Sequence, residues 1–309
     1  MSLLNLENDG KRGVLVAIYR LLLAEKSMDR DRLLDLCAPV GVCEPKHARG
    51  TLNTWVELGL FESSGDVKNP KIFISHLVPK VERCEDLLSV WASRRVLARE
   101  NNERFWESEE SRSADFTRAT AWLLAQDIFE AEHSSWPVVQ AIMKIQMPGN
   151  DGIFGQNDTR WNGLRKWAPF LGFGRVGNTQ GSPLIIDPTD VLRHSLPIVF
   201  GKRTNLAADE FLAAVAETVP VLDQGIYRQL VEAKLREHES PDGWVSPPNG
   251  QVSTSLSRAL LRLTTDGTLQ VEKRSDATAR ARLTGRKREV IDEFSHFSYN
   301  PSQQATKQL

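Results

Sequence analysis

Side chains suited to meeting nucleic acid fall in three places along the 309-residue chain. The richest lies toward the C-terminal end, where Ser255, Arg258 and Arg262 recur at helical spacing and Lys273, Arg274, Arg280 and Arg282 follow, with Arg286, Lys287 and Arg288 just beyond. Lys and Arg neutralise phosphates or pair with guanine, whereas Asn and Gln suit adenine. Four such cations on four phosphates would make log affinity fall with log salt at a slope of roughly −4. The competing reading is a solvated hairpin whose charges only keep it soluble. A second set is Lys46, Arg49, Gly50 and Asn53, in which Gly permits close approach. A third is Lys166, with Thr159 and Asn162 and with Arg160 and Arg165 nearby.

Catalytic templates are missing from the sequence. Gly172, Gly174 and Gly177 match GxGxxG, but a dinucleotide site needs a strand before that motif and a helix after it. Here helical sequence precedes it and a strand follows, so these glycines read as a helix stop and a turn. His47, His76, His133, His194, His238 and His296 make no HExxH, and neither GxSxG nor GxxxxGK[ST] occurs. Glu107, Glu109 and Glu110, or Asp187 and Asp190, are the acidic groups that could hold Mg²⁺ for nuclease chemistry. Such groups are more often solvated surface or helix caps. No cofactor is implied.

Those residues need elements to hold them. Leu15, Ile18, Tyr19, Leu22 and Leu23 trace one buried helical stripe. Asp29 is placed to cap a second helix carrying Leu33, Leu34 and Cys37, and a third opens at Glu44 with Pro45 in its first turn and stops at Gly59. Ala48, Leu52 and Trp55 form its apolar stripe. Strand, polar loop and strand follow, through Phe61, Gly65 and residues 71–75, which is the order of a winged helix-turn-helix. Two later segments echo the run from Leu52 to Phe61. One runs from Leu164 to Phe173 and the other from Leu260 to Leu269. Each precedes an expected hairpin, 175–176 with 184–186 and 269–273 with 280–283. Helices are expected over 116–130, 137–145, 211–219 and 226–237, and a long charged one over 83–106. Pro169 inside the middle helix counts against a unit there, and any amphipathic helix ending in Gly before a hairpin gives the same echo. Trp161 and Trp167 read as core.

The fold class expected is mainly α with short β-hairpins, in tandem winged helix-turn-helix units. Residues 1–80 form the first, 81–200 a helical linker that leaves room for a second, 201–297 another, and 298–309 a flexible tail. The net charge of −1 averages over opposed segments. Residues 101–135 hold 3 Arg against 8 Asp plus Glu, and residues 251–290 hold 9 Lys plus Arg against 4 acids. Cys37, Cys43 and Cys84 suggest neither a disulfide framework nor a zinc site, and no leader or membrane span is legible, so a cytoplasmic location is expected.

The opening Gly13-Val14-Leu15-Val16, Tyr19-Arg20, Asp29-Arg30 and the run from Thr51 to Phe61 resemble the start of DpdG proteins, components of bacterial gene clusters for 7-deazaguanine modification of DNA. That resemblance implies a cytoplasmic part in defence against foreign DNA alongside other products of the cluster, and supplies no catalytic residue. The expected function is a non-catalytic DNA-binding or DNA-sensing subunit. The alternative is a winged-helix adaptor or dimerisation subunit, with other proteins of the system or a second copy as partner. A metal-dependent nuclease ranks third.

Overall fold

The expected first three helices all form in the computed structural model, which describes residues 2–4, 12–38, 45–107, 112–131, 135–149, 158–177, 182–241 and 243–299. Helix α1 (Arg12–Glu25) buries Val14, Leu15, Ile18, Tyr19 and Leu22, the stripe its spacing demands. Strand β1 (Ser27–Asp29) runs straight into α2 (Arg30–Cys37), with Asp29 in the N-cap position though its side chain makes no capping bond. Helix α3 (Pro45–Glu57) ends at Gly59, whose φ of +78° suits glycine. Strands β2 (Phe61–Ser64) and β3 (Lys71–Ile74) complete an antiparallel sheet of order β1-β3-β2. Phe61 lies opposite Ile74, and Ser27 opposite Phe73.

The long helix expected over 83–106 is shorter. It is α4 (Leu88–Leu97), stopped where Ala98 turns extended. The amide of Asn101 donates to the carbonyls of Leu58 and Arg95, and that of Asn102 to those of Val96 and Ala98. Asn side chains compete for backbone acceptors, and here they replace the helical N–H groups that would have followed.

The chain divides into two compact units. The first comprises residues 1–117 and 152–171. Besides the elements above it holds α7 (Asp158–Phe170), which packs on α1 and sets Trp167 with its ring centroid 5.3 Å from that of Trp55. Trp161 and Trp167 are both core residues, as expected.

The second unit comprises residues 118–151 and 172–309, and its boundary falls inside α5 (Ala114–Ala125). Trp122 Nε1 donates to Gln146 at the end of α6 (Trp136–Gln146), and Gln146 donates to Gln126. Strands β4 (Gly174–Val176) and β5 (Leu184–Ile186) form the middle hairpin. Helix α8 (Thr189–Phe200), with Pro197 inside it, was not legible in the sequence. Next come β6 (Asn205–Ala207), α9 (Ala208–Thr218), α10 (Ile226–Arg236) and α11 (Thr254–Thr265).

The last strands correct an expectation. β7 (Leu269–Glu272) pairs not with 280–283 but with β10 (His296–Tyr299), while β8 (Ala281–Thr284) pairs with β9 (Val290–Phe294). Aromatic burial explains the choice. Phe297 stacks on Phe211 at 4.2 Å and Tyr299 lies 5.5 Å from Phe200, so β10 brings large core area to the β7 edge that residues 280–283 lack. The resulting sheet, β6-β10-β7, repeats the plan of β1-β3-β2. In both, a strand leading directly into a helix takes one edge and the last strand takes the centre. The described chain is thus mainly helical with small antiparallel sheets.

Candidate nucleic-acid interface

Helix α11 is positioned from its N-terminus. Ser253 caps it by accepting from the Leu256 N–H, and Ser253 is itself held by Asp223, which accepts from its N–H at 2.5 Å and its hydroxyl at 2.6 Å. Leu256, Ala259, Leu260 and Leu263 are buried as expected. Ser255 is not on the free face. It is 0% exposed and its hydroxyl donates to the Leu124 carbonyl at 2.8 Å, because the first turn of α11 is enclosed on a second side by the end of α5. What remains half-open along the helix is a narrow strip of Arg258, Leu261 and Arg262, with Thr264 half-buried and Thr265 exposed at its C-terminal end.

That strip lines a cavity of 400 Å³ whose other walls are Ile128, Phe129, Thr284, Arg286 and Ile291. Phe129 is 42% and Ile291 50% exposed, and the Arg286 guanidinium lies 5.6 Å from the Phe129 ring centroid. Sequence reading placed Phe129 inside a helix over 116–130, but α5 stops at Ala125 and Phe129 lies in the turn beyond it, where exposure of an aromatic has no local signature.

The cations expected to act together are divided by their partners. Lys273 meets Asp292 at 2.5 Å, Arg274 meets Glu272 at 2.8 Å, and Arg280 and Arg282 share Glu293 at 2.7 and 3.7 Å. Arg262 pairs with Asp187, a buried carboxylate that also accepts from Thr189 and faces Arg175 at 3.4 Å. By contrast Arg258, Arg286, Lys287 and Arg288 have no carboxylate partner among the described residues, and Arg288 donates to the Ser246 carbonyl at 3.3 Å. Lys287 and Arg288 form the centre of the β8–β9 turn with φ of 54° and 60°. The Glu289 N–H closes it on the Arg286 carbonyl, as in a primed hairpin turn. Beyond the strip, Arg193 meets Asp266 at 2.6 Å. Burial would raise the Asp266 carboxyl, but hydrogen bonds from Arg193 and Thr268 outweigh it and hold it below the usual Asp range.

In the first unit Lys46 and Arg49 are exposed on α3, and Asn53 accepts from the Arg30 guanidinium at 2.8 Å, which leaves its amide N–H groups for other acceptors. Lys166 is exposed on α7 and Asn162 half-buried, whereas Arg160 is buried. Gly172 follows α7 with φ of +86°, the helix stop expected of it, whereas Gly174 opens strand β4 and the residues after Gly177 that would form the expected turn lie outside the described ones. No cluster able to hold a metal ion occurs among the described residues. Cys43, Glu109, Glu110 and His133 lie outside them. No helix among the described residues is long and apolar enough to cross a membrane.

A family model described as DpdG-like matches residues 1–277. The chain belongs to the DpdG-like family. Neither the curated proteins nor the solved structures give a match. In this DpdG-like chain the matched region takes in Arg258, Arg262 and β7, while the β8–β9 hairpin with Arg286, Lys287 and Arg288 follows it.

Proposed function

We propose that this DpdG-like protein is a non-catalytic DNA-binding or DNA-sensing subunit of a bacterial defence system built on Dpd-type DNA modification. Family membership supports the modification context. The observation that carries the DNA reading is that Arg258 and Arg286 line one cavity with no carboxylate partner among the described residues, and that Lys287 and Arg288, likewise without one, follow Arg286 in the β8–β9 turn. Phosphate binding draws first on charges that need not leave an internal partner.

The recurring strand order supports winged-helix units in 1–80 and 201–297. In that reading α3 and α11 are the third helices, and β8–β9 is an elaborated wing between β7 and β10. In the middle segment the helix α7 is followed, among the described residues, by the two-stranded β4–β5 hairpin, with no third strand paired to it.

The test is DNA binding across a salt series by wild type, Arg258→Ala/Arg286→Ala and Arg274→Ala/Arg280→Ala, each confirmed folded. The first pair is expected to flatten the salt slope by roughly 2 for a duplex and the second by less. Absence of binding by wild type at low salt refutes the reading. It would favour the adaptor role, for which the exposed Phe129, Val290 and Ile291 provide apolar contact area.

A further inference from the structure

Resting on that reading, we infer that the cavity beside α11 receives an unstacked base of single-stranded DNA, with Phe129 as the stacking surface. A helix that reads the major groove must stand proud of its neighbours to enter a channel about 12 Å wide. α11 does not. Thr254 to Ser257, Ala259, Leu260 and Leu263 are all buried, and the open strip is the floor of a cavity rather than a ridge.

The walls suit a base better than a duplex. Ile128, Leu261 and Ile291 are apolar, and a volume of 400 Å³ falls within the roughly 300–1,000 Å³ of small-ligand pockets. Phe129 presents an exposed ring flanked by Arg286, the pairing of aromatic platform and cation that single-strand binders use. Arg258 and Arg286 line the cavity, and Lys287, exposed next to Arg286 in the β8–β9 turn, adds positive charge for a trailing backbone, whereas Arg288 donates to the Ser246 carbonyl.

Little in the cavity can read base identity. The Thr284 hydroxyl already donates to the Val252 carbonyl at 2.6 Å, and Arg262 is engaged by Asp187. Stacking with phosphate contacts is sequence-tolerant, so affinity for mixed-sequence single strands should vary little.

The experiment is fluorescence anisotropy of the full chain with a labelled single strand and a duplex of equal length. Wild type is expected to prefer the single strand. Phe129→Ala should weaken that binding about 5- to 150-fold while leaving duplex binding unchanged, and Phe129→Trp should retain it. Because Phe129 is half-exposed, the variant's thermal midpoint should stay close to wild type and separate lost binding from lost folding. Duplex preference in wild type, or full single-strand affinity in Phe129→Ala, overturns the inference but leaves DNA binding standing. Failure to bind either probe at low salt overturns the underlying reading as well.

Discussion

Replacing Lys287-Arg288 by Asn-Gly should make the protein more stable and a poorer ligand for DNA at once. Both residues sit at positive φ, 54° and 60°, in a turn whose preferred sequence is Asn-Gly. The left-handed region costs an ordinary L-residue roughly 1–2 kcal/mol, so relief at both positions is worth about 2 kcal/mol. Against this stand the extra backbone entropy of Gly, about 0.5–1 kcal/mol, and loss of the 3.3 Å bond from Arg288 to the Ser246 carbonyl, about 0.5 kcal/mol. A net gain near 1 kcal/mol remains. In a unit of this size that is a rise of roughly 2–4 °C in midpoint, measurable by calorimetry. The same change removes two of the four cations that have no carboxylate partner among the described residues, so the salt slope for a single strand should flatten by roughly 1.4. A midpoint that stays put or falls refutes the claim that the turn is strained. An unchanged slope refutes the claim that its charges meet phosphate.

Two further outcomes follow from the geometry. Gly172 and Gly250 both have positive φ, but a Cβ on Gly172 would lie 2.7 Å from the Val191 backbone nitrogen while one on Gly250 meets open space. Gly172→Ala should therefore cost about 3 kcal/mol and Gly250→Ala about 1, and equal shifts in their urea midpoints would sink the argument. Because the folded Asp266 carboxyl is held below its unfolded value, its ion pair with Arg193 stabilises the protein at neutral pH and that contribution fades as pH falls from the unfolded value, about 4, through the lowered folded one. Asp266→Asn should be less stable than wild type at pH 7 with the gap closing in acid, as read by denaturation at several pH values. A gap independent of pH contradicts the assignment.

Local signals in the sequence served well where one residue decides the backbone. Pro45 opens α3 and Ser253 caps α11. Gly59, Gly172 and Gly267, the three glycines aligned by the internal echo, all adopt positive φ after their helices. Apolar spacing also located the buried stripes of α1, α3 and α11. What failed depends on contacts distant in sequence. The partner of β7 is chosen by Phe297 and Tyr299 packing on Phe211 and Phe200, and α8 was hidden by Pro197. The candidate interface was legible as basic but not as to which charges stay unpartnered, because Glu293 reaches Arg280 and Arg282 only through the β8–β9 register. Ser255 looked free by spacing and is enclosed by an element more than a hundred residues earlier.

The interleaving of the two units has a consequence for how the chain comes to be folded. Residues 118–151 belong to the second unit yet lie between the two stretches of the first. A growing chain therefore cannot close the first unit until residue 171 is made, and by then a piece of the second already waits without its remaining partners. Domains that are contiguous in sequence fold one after another as they leave the ribosome; these two must overlap in time. No single cut releases either unit whole, so truncation series along this chain should give insoluble products on both sides of nearly every breakpoint, and separating the units calls for rejoining 117 directly to 152.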